Sequence, residues 1–294
     1  MPSYAHDTKD ELARVFDDDE NCLRAELAAL LTLGSTVSEG RRDFSNVNAA
    51  VARKVITLVK KLYPDAKTEI AAVRTKKLRK SMRYFVRIFF AGSIENFLKN
   101  LNAKEILART VYKIAALRGA FLANGSVNRP ESQYHAEILS VTEDDAKFIQ
   151  KIFRNLGFRA AIYARQGVFV TYMKEGDSIC DFLSMIGAAE AVERFEIARN
   201  LKEVRMQVNR IVNCETANLT RSIITAQRQL ADIEVLKSHG VKVREILQEA
   251  IDIRLKFSDC TMGELADKLF ITREALVHRF KVIRELAEEI KSKE

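Results

Sequence analysis

The feature that most constrains this chain is an internal duplication. Residues 22–33, CLRAELAALLTL, read as a nearly all-apolar helical run ending at Gly34, and Val111 to Asn124 reads as a second run ending at Gly125, about 91 residues later. A glycine after such a run suits the positive φ of a helix C-terminal cap. The segments beyond the two glycines also repeat one another. After Gly34 come an extended stretch from Arg41 to Val47, a helix from about Ala49 to Leu62, and two β-like runs. The second run, Met82 to Phe90, is rich in β-branched and aromatic residues. After Gly125 come an extended run from Gln133 to Val141, a helix from Glu143 to Leu156, a hairpin turning at Gln166 and Gly167, and a helix from Gly176 to Ile186. Each half therefore reads α-β-β-α-β-β-α, and a duplication of this length sets the fold. Ala25, Ala28 and Ala29 in the first apolar helix, and Gly119, Ala120 and Ala123 in the second, would let the two pack closely about a pseudo-two-fold axis. The alternative is that each is simply the core helix of its own half.

Composition narrows the class. A length of 294 residues suits two domains, and 47% hydrophobic content is enough to bury their cores. The formal net charge of +8 allows a polyanionic partner without demonstrating one. Cys22, Cys180, Cys214 and Cys260 are far apart with no CxxC or Cys/His spacing, so neither a metal site nor a disulfide framework is indicated. The polar, acidic start MPSYAHDTKDELARVFDDDEN lacks the basic and apolar regions of a signal peptide, and no apolar run is long enough for a membrane span. The expectation is a cytoplasmic protein with no cofactor, no metal and no membrane partner.

Leu117-Arg118-Gly119-Ala120-Phe121-Leu122-Ala123-Asn124-Gly125 resembles the LAGLIDADG motif of homing endonucleases, and Glu26 to Gly34 resembles a more degenerate copy. The resemblance implies paired motif helices at the domain centre, each carrying an acid before its final glycine. Two such acids hold divalent metal for phosphodiester hydrolysis. Here those positions are Leu33 and Asn124, which lack carboxylates, so the resemblance implies the fold and argues against the chemistry. A residual metal-dependent endonuclease using Glu26 is the enzymatic alternative, although Glu26 lies about two helical turns back.

Between Arg41 and Arg87 stand fourteen Lys or Arg against three acids, Asp43, Asp65 and Glu69. Arg74, Lys76, Lys77, Arg79, Lys80, Arg83 and Arg87 are the candidate phosphate contacts. Alternation along the strand puts Arg83, Phe85, Arg87 and Phe89 on one face. A solvated sheet face is the competing reading, and the homing-endonuclease resemblance, which implies DNA laid across these strands, favours contact. The second half is less basic, so any contact should be lopsided.

The segment MGELADKLFITREALVHRFKVI, Met262 to Ile283, has the layout of a helix-turn-helix. Leu265, Ala266 and Leu269 would face inward, Phe270 and Ile271 would fill the turn, and Thr272 would cap a second helix packed through Leu276, Phe280 and Ile283. Thr272, Arg273, His278, Arg279, Lys281 and Arg284 are the candidate DNA-binding residues. A protein-binding helical hairpin would look similar.

Residues 188–233 contain no Gly or Pro and read as one or two long helices. Within them, Asn209-Arg210-Ile211-Val212-Asn213-Cys214-Glu215-Thr216-Ala217-Asn218-Leu219-Thr220-Arg221, then Ala226-Gln227-Arg228-Gln229, resembles the linker signature of the WhiA family, and His278-Arg279-Phe280 is similar to the HRL of its C-terminal domain. Ser3-Tyr4 and Lys9-Asp10-Glu11-Leu12 echo that family's start. The resemblance covers essentially the whole chain. It implies an α+β protein: a degenerate LAGLIDADG-like domain at 1–195, a helical linker at 196–235 and an all-α helix-turn-helix domain at 236–294. It also implies a nucleoid-associated regulator of sporulation, cell division or chromosome segregation. Its partners would be double-stranded DNA and other transcription regulators, with a protein or RNA interaction module as the alternative.

Overall fold

The computed structural model describes residues 3–38, 40–74, 82–89 and 103–292, and the chain divides into two units, Met1–Lys202 and Glu203–Glu294. In the first unit, helix α1 (Tyr4–Leu12) precedes the apolar α2 (Glu20–Gly34). Strands β1 (Ser35–Ser38) and β2 (Arg41–Asn46), helix α3 (Ala49–Leu62), and strands β3 (Lys67–Arg74) and β4 (Met82–Phe89) come next. After α4 (Ala103–Ala108), the second repeat runs α5 (Thr110–Asn124), β5 (Gly125–Val127), β6 (Ala136–Ser140), α6 (Glu143–Asn155), β7 (Ala161–Arg165), β8 (Val168–Met173) and α7 (Gly176–Ile186). Two antiparallel sheets result, ordered β1-β2-β4-β3 and β5-β6-β8-β7. The duplication is thus a duplication of topology. Among the described residues seven elements stand in the second repeat and six in the first before α4, and residues 90–102 are not among those described. The hairpin between β7 and β8 turns through positive φ at Gln166 and Gly167, matching the right-handed twist of its strands.

The motif helices α2 and α5 are buried along most of their length because each has sheet or helix on every side. They meet at Gly119, where a Cβ would stand 2.2 Å from the carbonyl oxygen of Glu26, so only glycine permits this separation. Neither Gly34 nor Gly125 is a left-handed cap, which corrects the expectation drawn from their positions. Gly125 is extended (φ −76°, ψ 156°), and a Cβ at Gly34 or Gly125 would lie 2.4 Å from the ring of Phe44 or Phe121, respectively. The chain must leave each helix against an aromatic ring, and that closeness is what requires glycine.

Helix α1 was not evident from the sequence pattern. Ser3 caps it, Tyr4 Oη donates to Ala191 O at 2.6 Å, and the Glu11 carboxylate accepts from the Glu190 and Ala191 amides. Those amides open helix α8 (Ala189–Ser238), a single helix across the expected linker.

The second unit packs the end of α8 with α9 (Glu245–Lys256), α10 (Met262–Lys268) and α11 (Arg273–Lys291) around Ile233, Leu236, Leu265, Leu276, Phe280 and Ile283. At its centre Arg254 is 1% exposed and donates to Gln229 Oε1, Ser258 O and Cys260 O, so its guanidinium is spent on holding the loop before α10. Among the described residues no helix is long and apolar enough to cross a membrane.

Candidate nucleic-acid interface

Leu33 and Asn124, the two positions before the motif glycines, meet at the lower ends of α2 and α5 on the wall of a groove of about 430 Å³. Asn124 Nδ2 donates to Leu33 O at 2.6 Å, and Asn46 Nδ2 donates to Leu122 O and Ala123 O at 3.2 and 3.1 Å. Side-chain amides therefore satisfy helix-end carbonyls at this spot. A divalent cation needs carboxylate oxygens. Among the described residues the one carboxylate on the groove wall, Asp43, lies 3.2 Å from Arg41 Nε and 3.7 Å from Arg87 Nε. These residues do not fit a metal ion. Among the described residues no group of three or more His, Cys, Asp or Glu could hold one.

Glu26 does not rescue the site. It is fully buried, with Lys54 Nζ at 2.5 Å and Arg118 Nη1 at 3.5 Å. Burial pushes its carboxyl above the usual carboxylate range, opposed by those two cations. Lys54 also donates to Leu12 O and Val15 O, while Arg118 reaches Ile186 O and Asp17. The cluster ties α1, α2, α3, α5 and α7 together inside the unit, away from the groove.

On the groove's sheet wall Arg83, Phe85 and Arg87 project from β4, while Val86 and Ile88 on its opposite face are fully buried, as strand alternation requires. Arg83 donates to Ser45 Oγ at 3.2 Å, and Arg87 lies between Asp43 and Glu69. Arg74 ends β3 in an exposed position. Lys76, Lys77, Arg79 and Lys80 lie outside the described residues. The second sheet differs in kind. Its corresponding face carries Glu137 with His135 Nε2 at 3.0 Å, and Tyr172 stacked on His135 and edge-on to Tyr163.

In the second unit Thr261 and Glu264 form a capping box that starts α10, and Thr272 Oγ1 accepts from the Ala275 amide to start α11. Because Leu276, Phe280 and Ile283 are buried at i, i+4 and i+7, Arg273, His278, Lys281 and Arg284 are left on the outer side. Lys281 and Arg284 form i,i+4 pairs with Glu285 and Glu288, which are weak enough to exchange for phosphate. Arg279 departs from the expectation. It sits on the flank of the helix beside Phe280, so its guanidinium turns onto α9, donating to Ile246 O at 3.2 Å and pairing with Glu249 at 3.0 Å. Phe270 departs too: Ile271 packs on the core, but Phe270 is 96% exposed and fills nothing. Buried Arg254, by contrast, gives no signal in the sequence, where it is only one more charge on an amphipathic helix.

Three family models match in succession. The WhiA N-terminal LAGLIDADG-like domain matches residues 20–103, the WhiA LAGLIDADG-like domain residues 113–205, and the WhiA C-terminal HTH domain residues 208–287. Proteins named probable cell division protein WhiA from Oceanobacillus iheyensis and Desulforamulus reducens are 37% and 38% identical to this chain, covering 98% and 99% of it and 98% and 97% of their own lengths. Among solved structures, full-length WhiA from Thermatoga maritima aligns over 98% of this chain and 99% of its own at 23% identity with a TM-score of 0.63. An N-terminal LAGLIDADG domain of WhiA aligns over 64% of this chain and 94% of its own at 21% identity with a TM-score of 0.54. With full-length relatives at this identity and all three domain models in order, the chain belongs to the WhiA family.

Proposed function

We propose that this protein binds double-stranded DNA through α11 and acts as a transcriptional regulator in cell division, chromosome segregation or sporulation-related gene control. The observation that carries the reading is the Thr272-capped helix whose buried stripe leaves Arg273, His278 and Lys281 exposed on one side. A helix so presented fits the major groove, where Arg and His reach base edges and Lys281 and Arg284 hold phosphates. The relatives' names support a cell-division role. The first unit contributes phosphate contacts from Arg74, Arg83 and Arg87, with Lys76, Lys77, Arg79 and Lys80 in the same basic stretch, and hydrolyses nothing. The protein works in the cytoplasm on the nucleoid, together with other transcription regulators. Residues 1–195 form the degenerate domain, 196–235 the linker and 236–294 the reading head.

Selection of bound sequences from random duplexes by the full-length chain tests this. An enriched motif is expected, with Arg273→Ala weakening it by about 1 to 3 kcal/mol relative to random duplex. Equal affinity for all sequences at moderate salt would refute the proposal. Arg279→Ala serves as the contrast, since loss of its ties to α9 should show first as a lower melting temperature of the second unit.

A further inference from the structure

Among the described residues four helices end in the same motif, with one residue in left-handed conformation and the next amide bonded back to the carbonyl five residues earlier. The bonds are Phe158 N to Phe153 O, Ala188 N to Leu183 O, Val241 N to Leu236 O and Ile271 N to Ala266 O, at 2.8 to 3.1 Å. At three of the ends the left-handed residue is Gly157, Gly187 or Gly240, with φ of 90°, 99° and 61°. At the fourth, the turn leading into α11, it is Phe270 with φ of 54°. A bulky side chain is strained there. The ring itself gains no packing in return, because it is 96% exposed. One turn into α11, Val277 is a second exposed apolar side chain at 47%, on the same side as Arg273 and Lys281, four residues before and after it.

We infer that Phe270 and Val277 read thymine, their apolar surfaces packing against the 5-methyl groups that only thymine presents in the major groove. The inference rests on the proposed binding of DNA by α11. Duplex DNA is the fitting occupant because Arg273, His278, Lys281 and Arg284 share the exposed side of α11 with Val277, Phe270 stands in the turn that leads into that helix, and Glu274 is the one acid in the helix's first turn, a setting that suits phosphates and base edges better than an apolar protein face. An apolar turn residue adds no phosphate contact. It therefore changes which sequence is bound while leaving the salt dependence alone.

The test takes the duplex enriched from the random library by the full-length chain and replaces each thymidine in turn with deoxyuridine, which deletes only the methyl group. The wild type should lose about fourfold in affinity at one or more positions, the effect of one methyl-sized group leaving an apolar contact. Phe270→Asn and Val277→Ala should each bind the thymidine and deoxyuridine forms alike at the position that the lost side chain reads. Asn tolerates the left-handed conformation, so Phe270→Asn should melt no lower than the wild type, which separates lost reading from lost folding. Wild-type affinity indifferent to deoxyuridine at every position would overturn the inference, as would both variants keeping the discrimination, whatever else the exposed ring touches. Failure to enrich any sequence would instead bring down the proposed sequence-specific reading by α11 itself.

Discussion

The two repeats of the first unit share a topology and diverge in what fills it. At the repeat spacing Glu26 of α2 corresponds to Leu117 of α5, and the sixth residues of α3 and α6 are Lys54 and Phe148. In the first repeat these positions make a buried ion pair sealed by the carbonyls of Leu12 and Val15. In the second, Leu117 and Phe148 line an open, mostly apolar pocket of about 200 Å³ that also has Thr32 and Asp145 on its wall. The helix ends and sheets divide likewise, with Leu33 offering a carbonyl and Asn124 the amide that satisfies it, and with Arg83 and Arg87 on the first sheet where the second carries Tyr163 and Tyr172. A shared backbone sets the order of elements and leaves open how a position is filled, since Lys54 is 2% exposed and ion-paired whereas Phe148 is only partly buried. A catalytic centre that needs like acids from both halves cannot survive such divergence.

The buried ion pair offers the strongest way to break this comparison. Glu26→Gln should cost about 3 to 5 kcal/mol in urea unfolding, because Lys54 is left charged and uncompensated in a dry site. Removing both charges with Glu26→Leu and Lys54→Met together should cost less than the single change, the remainder coming from Arg118, Leu12 O and Val15 O, which lose these partners. A double variant as unstable as the single one would mean the ion pair is not interchangeable with packing. A smaller effect is expected at the groove. Asn124→Asp sets a carboxylate against Leu33 O in place of a donor and should cost about 1 to 2 kcal/mol, with plasmid in magnesium still uncut. Cleavage by that variant would show that one acid restores the lost chemistry. The smallest effect compares the sheets: Arg87→Ala should reduce the slope of log affinity against log salt by about 1, whereas Arg165→Ala should leave it unchanged. Equal changes would mean that both sheets touch phosphate.

Much of this was legible in the sequence because periodicity reports burial directly. The repeated order of elements, the hairpin at Gln166 and Gly167, and the stripe Leu276, Phe280 and Ile283 all depend on which residues must leave water. The loss of the motif acids was equally visible at Leu33 and Asn124. Helix α1 was hidden because its polar composition has little apolar period and its stability comes from distant partners at Ala191 and Glu190. Arg279 and Arg254 were hidden for a related reason: a long side chain at the edge of a helical stripe can turn toward water or toward a neighbour, and the choice depends on Glu249 or Gln229, which lie 30 and 25 residues away.

The sequence by itself determined the duplication, the absence of acids before the motif glycines and the apolar stripe that turns α11 one way, since these depend on residue type and local spacing alone. Only the tertiary structure decided why Gly34, Gly119 and Gly125 are glycine, that Glu26 is a buried structural acid, and that Phe270 stands in water in a conformation suited to glycine. Each depends on where neighbouring atoms stand in space: Phe44 against Gly34, Phe121 against Gly125, the Glu26 carbonyl against Gly119, Lys54 against Glu26, and, among the described residues, no neighbour against the Phe270 ring. Residue type and spacing do not report those distances, whether the partner is four residues away, as at Gly125, or 93, as at Gly119.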